Sequence, residues 1–257
     1  MGSLEPIRPE PASDVITVLV TGFGAFQDRY PINPSYEITR ALPSLLPRAA
    51  ASGQRIRIIA YAAPIRVSYA EVRSLVPILH NTLRGVVDLV LHIGMASGRK
   101  HYTAEVFAHR DGYGKNRDVD GEVLRAEDGA VRFADCPEVM TSGLDCEDVL
   151  RRWRGNVGLL PAEALAAKAD CQLSEDAGHY LCDFTYFNSL AWYGRRSGKV
   201  DGGKASDRPV MFLHVPAESD AETLETGHHV AVALIEAMVD SWCLSEKRGS
   251  ATSRVVA

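Results

Sequence analysis

Three residue types that could together perform nucleophilic catalysis occur in the sequence, as Cys182, His214 and Glu105. A cysteine thiolate attacks carbonyl carbons, and it needs a base within about 2.6–3.2 Å together with a third group that orients the base. Histidine and glutamate are suited to those two roles. A lone cysteine is more often a small buried hydrophobe. We therefore treat Cys182 as a nucleophile only in combination with the other two residues.

Cys182 lies near the start of a predicted helix. Tyr180, Phe184 and Phe187 recur at spacings of three and four, so one face of the helix can enter a core while the cysteine points elsewhere. Asp176 is a favoured type of N-cap and is predicted to mark the beginning of the helix. Because the N-terminus of a helix carries partial positive charge, we expect the pKa of the Cys182 thiol to be lowered.

The two partners of the cysteine are predicted to lie in strands. Residues 210–215 form a short apolar run that stops at Pro216 and carries His214 near its end. This is where an α/β sheet exposes its active residues. Glu105 lies in the alternating run 101–109, either on the polar face of that strand or in a buried, hydrogen-bonded position.

Apolar strands and amphipathic helices alternate along the N-terminal part of the chain. The predicted strands are 15–21, 55–61 and 86–93, and the predicted helices between them are 34–42 and 67–83. This order predicts the α/β class, as a three-layer α/β/α sandwich with a twisted, mainly parallel (mixed) central sheet. Ligands of such sheets gather at the carboxyl ends of the strands.

The chain is predicted to form a single α/β domain over residues 15–243. Residues 1–14 are expected to be a flexible leader, and residues 244–257 a disordered tail. The region at about 111–172 has only short apolar runs and reads as an irregular insertion that contains a hairpin and one helix around 147–153.

Composition excludes several classes of partner. The formal net charge is -5 and the basic residues are scattered, so no nucleic-acid partner is expected. The N-terminal residues form neither a secretory signal nor a membrane anchor, so no membrane association is expected. The five cysteines include no CxxC pair, and their number is odd, which favours a reduced, cytoplasmic setting.

Short motifs occur in a characteristic order, namely GFGAF followed by NPS, GMASGR followed by TAE, DAGHYLC, and FLHVP. From about Val18 to Trp242 the order of these motifs resembles that of the pyroglutamyl peptidase I family, the pyrrolidone-carboxylate cysteine peptidases. The motif sequences themselves are similar to those of fungal-type members. The resemblance implies a cysteine exopeptidase, without cofactor or metal, that removes N-terminal pyroglutamate from peptides through a thiol acyl-enzyme. Its catalytic residues fall on Glu105, Cys182 and His214.

The resemblance also implies substrate contacts. Phe23 and Phe26 would flank the planar lactam ring, for which flat aromatic walls are suited. Met95 stands where relatives have a glutamine, and Lys115, or alternatively Arg117, stands where they have an arginine; lysine keeps the charge but cannot form a bidentate fork. The predicted substrate-binding residues are Phe23, Phe26, Asn33, Met95 and Lys115.

Two other functions stay open on the sequence alone. Changes at Met95 and Lys115 could leave a non-catalytic homologue that binds pyroglutamyl peptides. Residues 116–127 nearly match the spacing of a calcium-binding loop, although the helix that should enter such a loop is missing, which favours a solvated hairpin. The family resemblance further implies that a homo-oligomer can form.

Overall fold

The structure, a computed structural model, describes residues 15–48 and 51–255. Its strands are β1 (Val15–Gly22), β2 (Leu45–Arg48), β3 (Arg55–Ala60), β4 (Leu89–Met95), β5 (Tyr102–Glu105), β6 (Phe107–His109), β7 (Val139–Thr141), β8 (Cys171–Ser174) and β9 (Val210–Val215). Its α-helices are α1 (Pro34–Ala41), α2 (Tyr69–Thr82), α3 (Ala126–Arg132), α4 (Cys146–Gly158), α5 (Leu181–Ser197) and α6 (Ala221–Val255).

Seven of the strands form one sheet in the order β2-β3-β1-β4-β9-β5-β8. The central strands β3, β1, β4 and β9 are parallel neighbours. β2 runs antiparallel to β3, β5 runs antiparallel to β9, and β8 is parallel to β5. The predicted mixed, mainly parallel sheet is confirmed. The strands β6 and β7 form a separate antiparallel pair.

Helices cover both faces of the sheet. One apolar core lies between the sheet and α1, α4 and α6, and it includes Ile38, Trp153 and Val230. The other lies against α2 and α5 and includes Val76 and Phe187. Central strands buried on both faces are continuous apolar runs, as parallel strands usually are. The predicted three-layer α/β/α arrangement is therefore confirmed.

The predicted strand over 101–109 is two strands. β5 ends at Glu105 and belongs to the large sheet, whereas β6 begins at Phe107 and pairs with β7. The break falls at Val106, whose N–H donates to Ser174 O over 2.8 Å and whose carbonyl accepts the N–H of Ser142. The chain bends at Val106. Because valine is itself a common strand residue, the sequence pattern runs through this bend and could not reveal the change of sheet.

The region 111–172 contains more regular structure than an irregular insertion. The helix predicted around 147–153 is α4, and it is longer than expected; α3, β7 and β8 were not predicted individually. Trp153 of α4 is fully buried, and its indole N–H donates to Val230 O of α6 over 2.9 Å. The buried apolar side chains bind this region to the core, and three of the largest among them, Tyr113, Phe133 and Trp153, are aromatic.

The two predicted terminal segments have different outcomes. The helix α6 continues to Val255, so residues 244–255 are helical where the sequence predicted a disordered tail. The buried stripe ends at Cys243, but no proline follows it and the backbone hydrogen bonds can propagate. The predicted leader, residues 1–14, lies outside the described residues.

Replacement of Trp153 by alanine tests whether α4 belongs to the cooperative core. Loss of a fully buried tryptophan should lower the free energy of unfolding by about 3–5 kcal/mol. Leu159→Ala, at the end of the same helix, is the matched control, since Leu159 is 82% exposed and should change stability by less than about 0.5 kcal/mol. Urea unfolding curves measure both. An unchanged midpoint for Trp153→Ala would show that α4 folds independently of the sheet.

Candidate active site

The register of β4, β9 and β5 brings the predicted base and its partner onto one face of the sheet. Gly94 of β4 and Thr103 of β5 both pair with His214 of β9, and Glu105 pairs with Phe212. Alternate residues of a strand point to the same face, and this face is the one covered by α5. Glu105 therefore lies on the same face as His214, beside Phe212, which is two residues before His214 on β9.

A short hydrogen bond joins these two side chains. The Oε1 atom of Glu105 lies 2.7 Å from Nδ1 of His214, and both side chains are almost completely buried. Burial by itself would raise the pKa of the Glu105 carboxyl, but the hydrogen bond and charge of His214, with the Arg99 guanidinium, hold it below its ordinary value. Glu105 is thus ionised and fixes the tautomer with Nδ1 protonated, which leaves Nε2 of His214 as the basic nitrogen.

Arg99 is a site residue that we did not predict. Its Nη1 donates to Oε1 of Glu105 and to the hydroxyl of Thr103, each over 2.6 Å. Its Nη2 donates to Asp176 O over 2.7 Å, which connects the loop after β4 to the loop before α5. The sequence feature that could have identified Arg99 is its place at the end of GMASGR, shortly after a buried strand. An arginine at such a position can reach a buried carboxylate.

Cys182 is the second residue of α5, so the predicted position at a helix N-terminus is found. The helix begins at Leu181 rather than at Asp176, and its N-cap is Tyr180, which makes no side-chain capping bond. Asp176 instead accepts the N–H of Gly178 over 2.8 Å in a turn before the helix. The predicted N-cap was wrong because aspartate favours such turns as strongly as it favours helix starts.

Gly94 lets the thiol lie against the strand beside His214. A Cβ atom added to Gly94 would lie 2.7 Å from Sγ of Cys182 and equally close to the Phe212 ring. Real Cβ atoms do not make contacts of this length. Gly94 pairs in register with His214. A glycine at this position therefore allows the thiol and the imidazole to approach each other at the carboxyl ends of the central strands.

The pKa of the Cys182 thiol is raised, contrary to the expectation from the helix dipole. Burial is the main cause, and the carboxylates of Glu105 and Asp183 add to it, while Arg99 acts in the opposite direction. The desolvation of a thiolate outweighs the partial charge of a helix end. A base that takes the thiol proton is therefore needed for Cys182 to act as a nucleophile.

A cleft of about 500 Å³ opens above Cys182 and His214. This volume is in the range of small-ligand sites. Of the predicted substrate-binding residues, Phe26, Met95 and Lys115 line it. Tyr180, which we did not predict, lines it as well: its ring centroid is 6.4 Å from that of Phe26, and its hydroxyl donates to Arg117 O over 2.9 Å. No acidic side chain is among the described residues that line the cleft.

Phe23 and Asn33 are not brought into the lining of the cleft. Phe23 is 2% exposed and packs toward Phe212, with ring centroids 6.3 Å apart. Asn33 caps α1 by accepting the N–H of Ser35, and its amide donates to Gly24 O over 2.9 Å. Both residues hold the loop that carries Phe26. Only the local path of that loop decides which phenylalanine faces the cleft, and sequence motifs do not specify it.

The acidic loop that suggested calcium binding has another structure. The carboxylate of Asp118 accepts the backbone N–H groups of Tyr69, Asp120 and Glu122 over 2.8–3.0 Å. The carboxylate of Asp120 is paired with Arg66. These oxygens fasten the loop to the start of α2, and Asp118 is buried rather than solvated. The arrangement explains the acidic residues without a cation.

At the carboxyl ends of the central strands, a buried carboxylate orients an imidazole beside a cysteine at the start of a helix. This arrangement can transfer an acyl group to the thiol. That chemistry and the fold define a cysteine peptidase among the α/β enzymes. A family model described as pyroglutamyl peptidase matches residues 16–240. The chain belongs to this family, as its motifs predicted.

Individual relatives agree with the family model. Human pyroglutamyl-peptidase 1 is 29% identical over 226 residues, covering 87% of this chain and 90% of the human protein. The pyrrolidone-carboxylate peptidase of Cupriavidus taiwanensis is 28% identical over 202 residues and covers 78% of each protein. The crystal structure of pyrrolidone carboxyl peptidase from Pyrococcus furiosus has the same fold, with a TM-score of 0.65 and 19% identity, covering 88% of this chain and 99% of that one.

Across the described residues, none of the helices combines the length and the apolar character that crossing a membrane requires.

Gly94→Ala tests the close approach of the thiol to β4. The added methyl group must displace Cys182 or Phe212, and such overpacking should lower the free energy of unfolding by about 1–3 kcal/mol. Gly98→Ala, in the following loop, is the control, because a Cβ atom there meets no other atom within 4 Å. Thermal unfolding of the two variants should differ by several degrees. Equal melting temperatures would contradict the close contact.

Proposed function

We propose that this protein hydrolyses the amide bond after an N-terminal pyroglutamate, with Cys182 as nucleophile, His214 as base and Glu105 as the residue that orients the base. The observation that carries the proposal is the 2.7 Å hydrogen bond between Glu105 and His214 beneath the cleft onto which Cys182 opens. Membership of the family supports the choice of peptides with N-terminal pyroglutamate as substrates.

In the first step the thiol attacks the pyroglutamyl carbonyl carbon. The S–C bond forms while Nε2 of His214 takes the thiol proton, so that proton transfer accompanies attack and no free thiolate need form beforehand. The carbonyl oxygen becomes an oxyanion. The backbone N–H of Cys182, in the first turn of α5, has no partner within the helix and is the natural donor to that oxygen.

The second step expels the rest of the peptide. The C–N bond breaks and the imidazolium of His214 gives its proton to the leaving amine, which leaves a thioester on Cys182. Water then attacks the thioester, again with His214 as base, and pyroglutamate leaves as the thiol is restored. The ionised Glu105 stabilises the imidazolium in both steps, because its carboxylate lies directly against Nδ1 of that ring.

Recognition of the lactam follows from the walls of the cleft. Phe26 and Tyr180 offer aromatic faces, and Met95 adds an apolar side chain next to them. A pyroglutamyl ring is planar and uncharged, whereas an ordinary N-terminal residue carries an ammonium group that would lose its hydration here. The cationic side chains Arg99 and Lys115 at the cleft add repulsion against that ammonium.

The reaction is assigned to the cytoplasm. All five cysteines are free, including the nucleophile, and a reducing compartment keeps thiols in that form.

Replacement of the nucleophile gives the direct test. Cys182→Ala should reduce hydrolysis of a pyroglutamyl amide by roughly 10³-fold or more, whereas Cys146→Ala, a partly buried cysteine on α4, should stay close to the unchanged protein. Prolyl and glutamyl amides, assayed in parallel, should be poor substrates of the unchanged protein because they carry a free ammonium group. Full activity of the Cys182→Ala protein would refute the proposal.

Glu105→Gln tests the orienting role. The amide cannot stabilise the imidazolium, so kcat should fall by roughly 10²–10⁴-fold. KM should change little, because Glu105 is completely buried and does not line the cleft. Glu175→Gln, an exposed residue after β8, is the matched control and should leave both parameters unchanged. A rise in KM alone would assign Glu105 to substrate binding.

The same variant has a pH signature. Since the pKa of Glu105 is lowered in the folded state, its ionised form contributes stability above its ordinary pKa of 4.5, and this contribution is lost as the pH falls through the folded value. The difference in the free energy of unfolding between the unchanged protein and Glu105→Gln should therefore shrink as the pH is lowered from neutral to below 4.5. A constant difference would mean that the carboxylate is not held by His214 and Arg99.

A further inference from the structure

Two histidines and an aspartate lie together beside the catalytic helix without a part in the proposed reaction. One potential ligand atom from each of His109, His179 and Asp183 lies within 4.8 Å of the other two. The Nδ1 atoms of both imidazoles face the same carboxylate oxygen, Oδ2 of Asp183, at 2.9 Å for His109 and 3.6 Å for His179. Within the described residues this is the one cluster with the makings of a cation site.

We propose that His109, His179 and Asp183 bind a divalent transition-metal cation of the Zn²⁺ type. Two imidazole nitrogens and one carboxylate oxygen are a donor set that such cations prefer. A three-residue set leaves a coordination position for water. A bound cation would replace the hydrogen bond between His109 and Asp183 and bind the donors at the usual lengths of about 2.0–2.2 Å.

A backbone hydrogen bond holds the carboxylate of Asp183 in place. The Asp183 side chain is completely buried, and its other oxygen, Oδ1, accepts the backbone N–H of His109 over 2.8 Å. A hydrogen bond of this kind orients a ligand before the cation arrives. The His109 and His179 side chains are 20% and 45% exposed, so the cation can enter from solvent.

The backbone places the third ligand at a conformational cost. His179 has φ of +44°, and among the described residues no other side-chain-bearing residue has positive φ. The ring is also confined, because a Cβ atom on Gly112 would lie 2.7 Å from its Nδ1. The contacts of the ring are a hydrogen bond of 3.2 Å to Asp111 O, packing on the His109 ring at 4.2 Å, and the 3.6 Å approach to Asp183. Positive φ at a residue other than glycine is uncommon, and these contacts alone do not require it at His179. The conformation is therefore a reason to look for a ligand.

A cation bound at this cluster would lie close to Cys182 and to the cleft. His179 and Asp183 lie on either side of Cys182 in the chain, and Gly178 and Tyr180, the neighbours of His179, line the cleft. A bound cation would tie this segment to His109 of β6 and restrict the start of α5. The binding itself does not depend on the proposed peptidase activity and can be measured without turnover.

Isothermal titration of untagged full-length protein with Zn²⁺ tests the proposal, in the Cys182→Ala background so that the thiol cannot bind the metal. We expect one equivalent to bind and the melting temperature to rise. His179→Asn in the same background should weaken binding by at least about tenfold. Asparagine accepts positive φ, so the fold should be kept. The absorption spectrum of bound Co²⁺ should show tetrahedral coordination and should disappear in the same variant.

His229→Asn is the matched control, because His229 is exposed on α6 beside His228 and reports any general affinity of neighbouring histidines for Zn²⁺. Its titration should equal that of the Cys182→Ala protein. Two results would overturn the proposal: no stoichiometric binding to the Cys182→Ala protein, or binding that is unchanged by His179→Asn. Either would leave the cluster as a hydrogen-bonded support of the helix start.

Discussion

A fully buried carboxylate requires compensation, and the hydrogen bonds that compensate Glu105 determine much of the site around it. The imidazole of His214, the guanidinium of Arg99 and the hydroxyl of Thr103 all converge on one oxygen of this carboxylate. Their positions follow from the register of β5 against β9 and from the loop after β4. A shift of one residue in that register would turn Glu105 to the opposite face of the sheet and separate it from the imidazole of His214.

The electrostatics favour charge separation only during the reaction. The ionised Glu105 raises the pKa of the Cys182 thiol, so the same carboxylate that stabilises an imidazolium disfavours an isolated thiolate. Proton transfer from sulfur to His214 relieves this conflict, because the new positive charge lies between the two negative groups. A carboxylate that orients His214 and a thiol with a raised pKa are therefore consistent features of the proposed mechanism.

The parts of the structure that the sequence could predict are those with a repeating pattern. Apolar strands such as β4 and β9 and the end position of His214 follow from periodicity and from the rules of α/β sheets. The change of sheet at Val106 does not, since the bend there falls at a residue type that strands favour. The role of Phe23 depends on the path of its loop and leaves no local pattern. Arg99 is marked only by its place at the end of GMASGR, and its partners lie in distant segments. The region 111–172 was underestimated because its buried side chains, among them Tyr113, Phe133 and Trp153, are dispersed along the sequence and form only short apolar runs.

The helix α5 connects Cys182, the proposed nucleophile, to Glu105, the proposed orienting acid, through the protein interior. Cys182 lies in its first turn, and one turn later the Tyr186 hydroxyl donates to the backbone carbonyl of Glu105 over 3.1 Å. Phe184 and Phe187, on the same helix, are completely buried in the core on this side of the sheet. A movement of the helix start would therefore have to disturb both the core and the strand that carries Glu105. Since packed cores resist such shifts, the geometry of thiol and base is a property of the whole layer rather than of a loop.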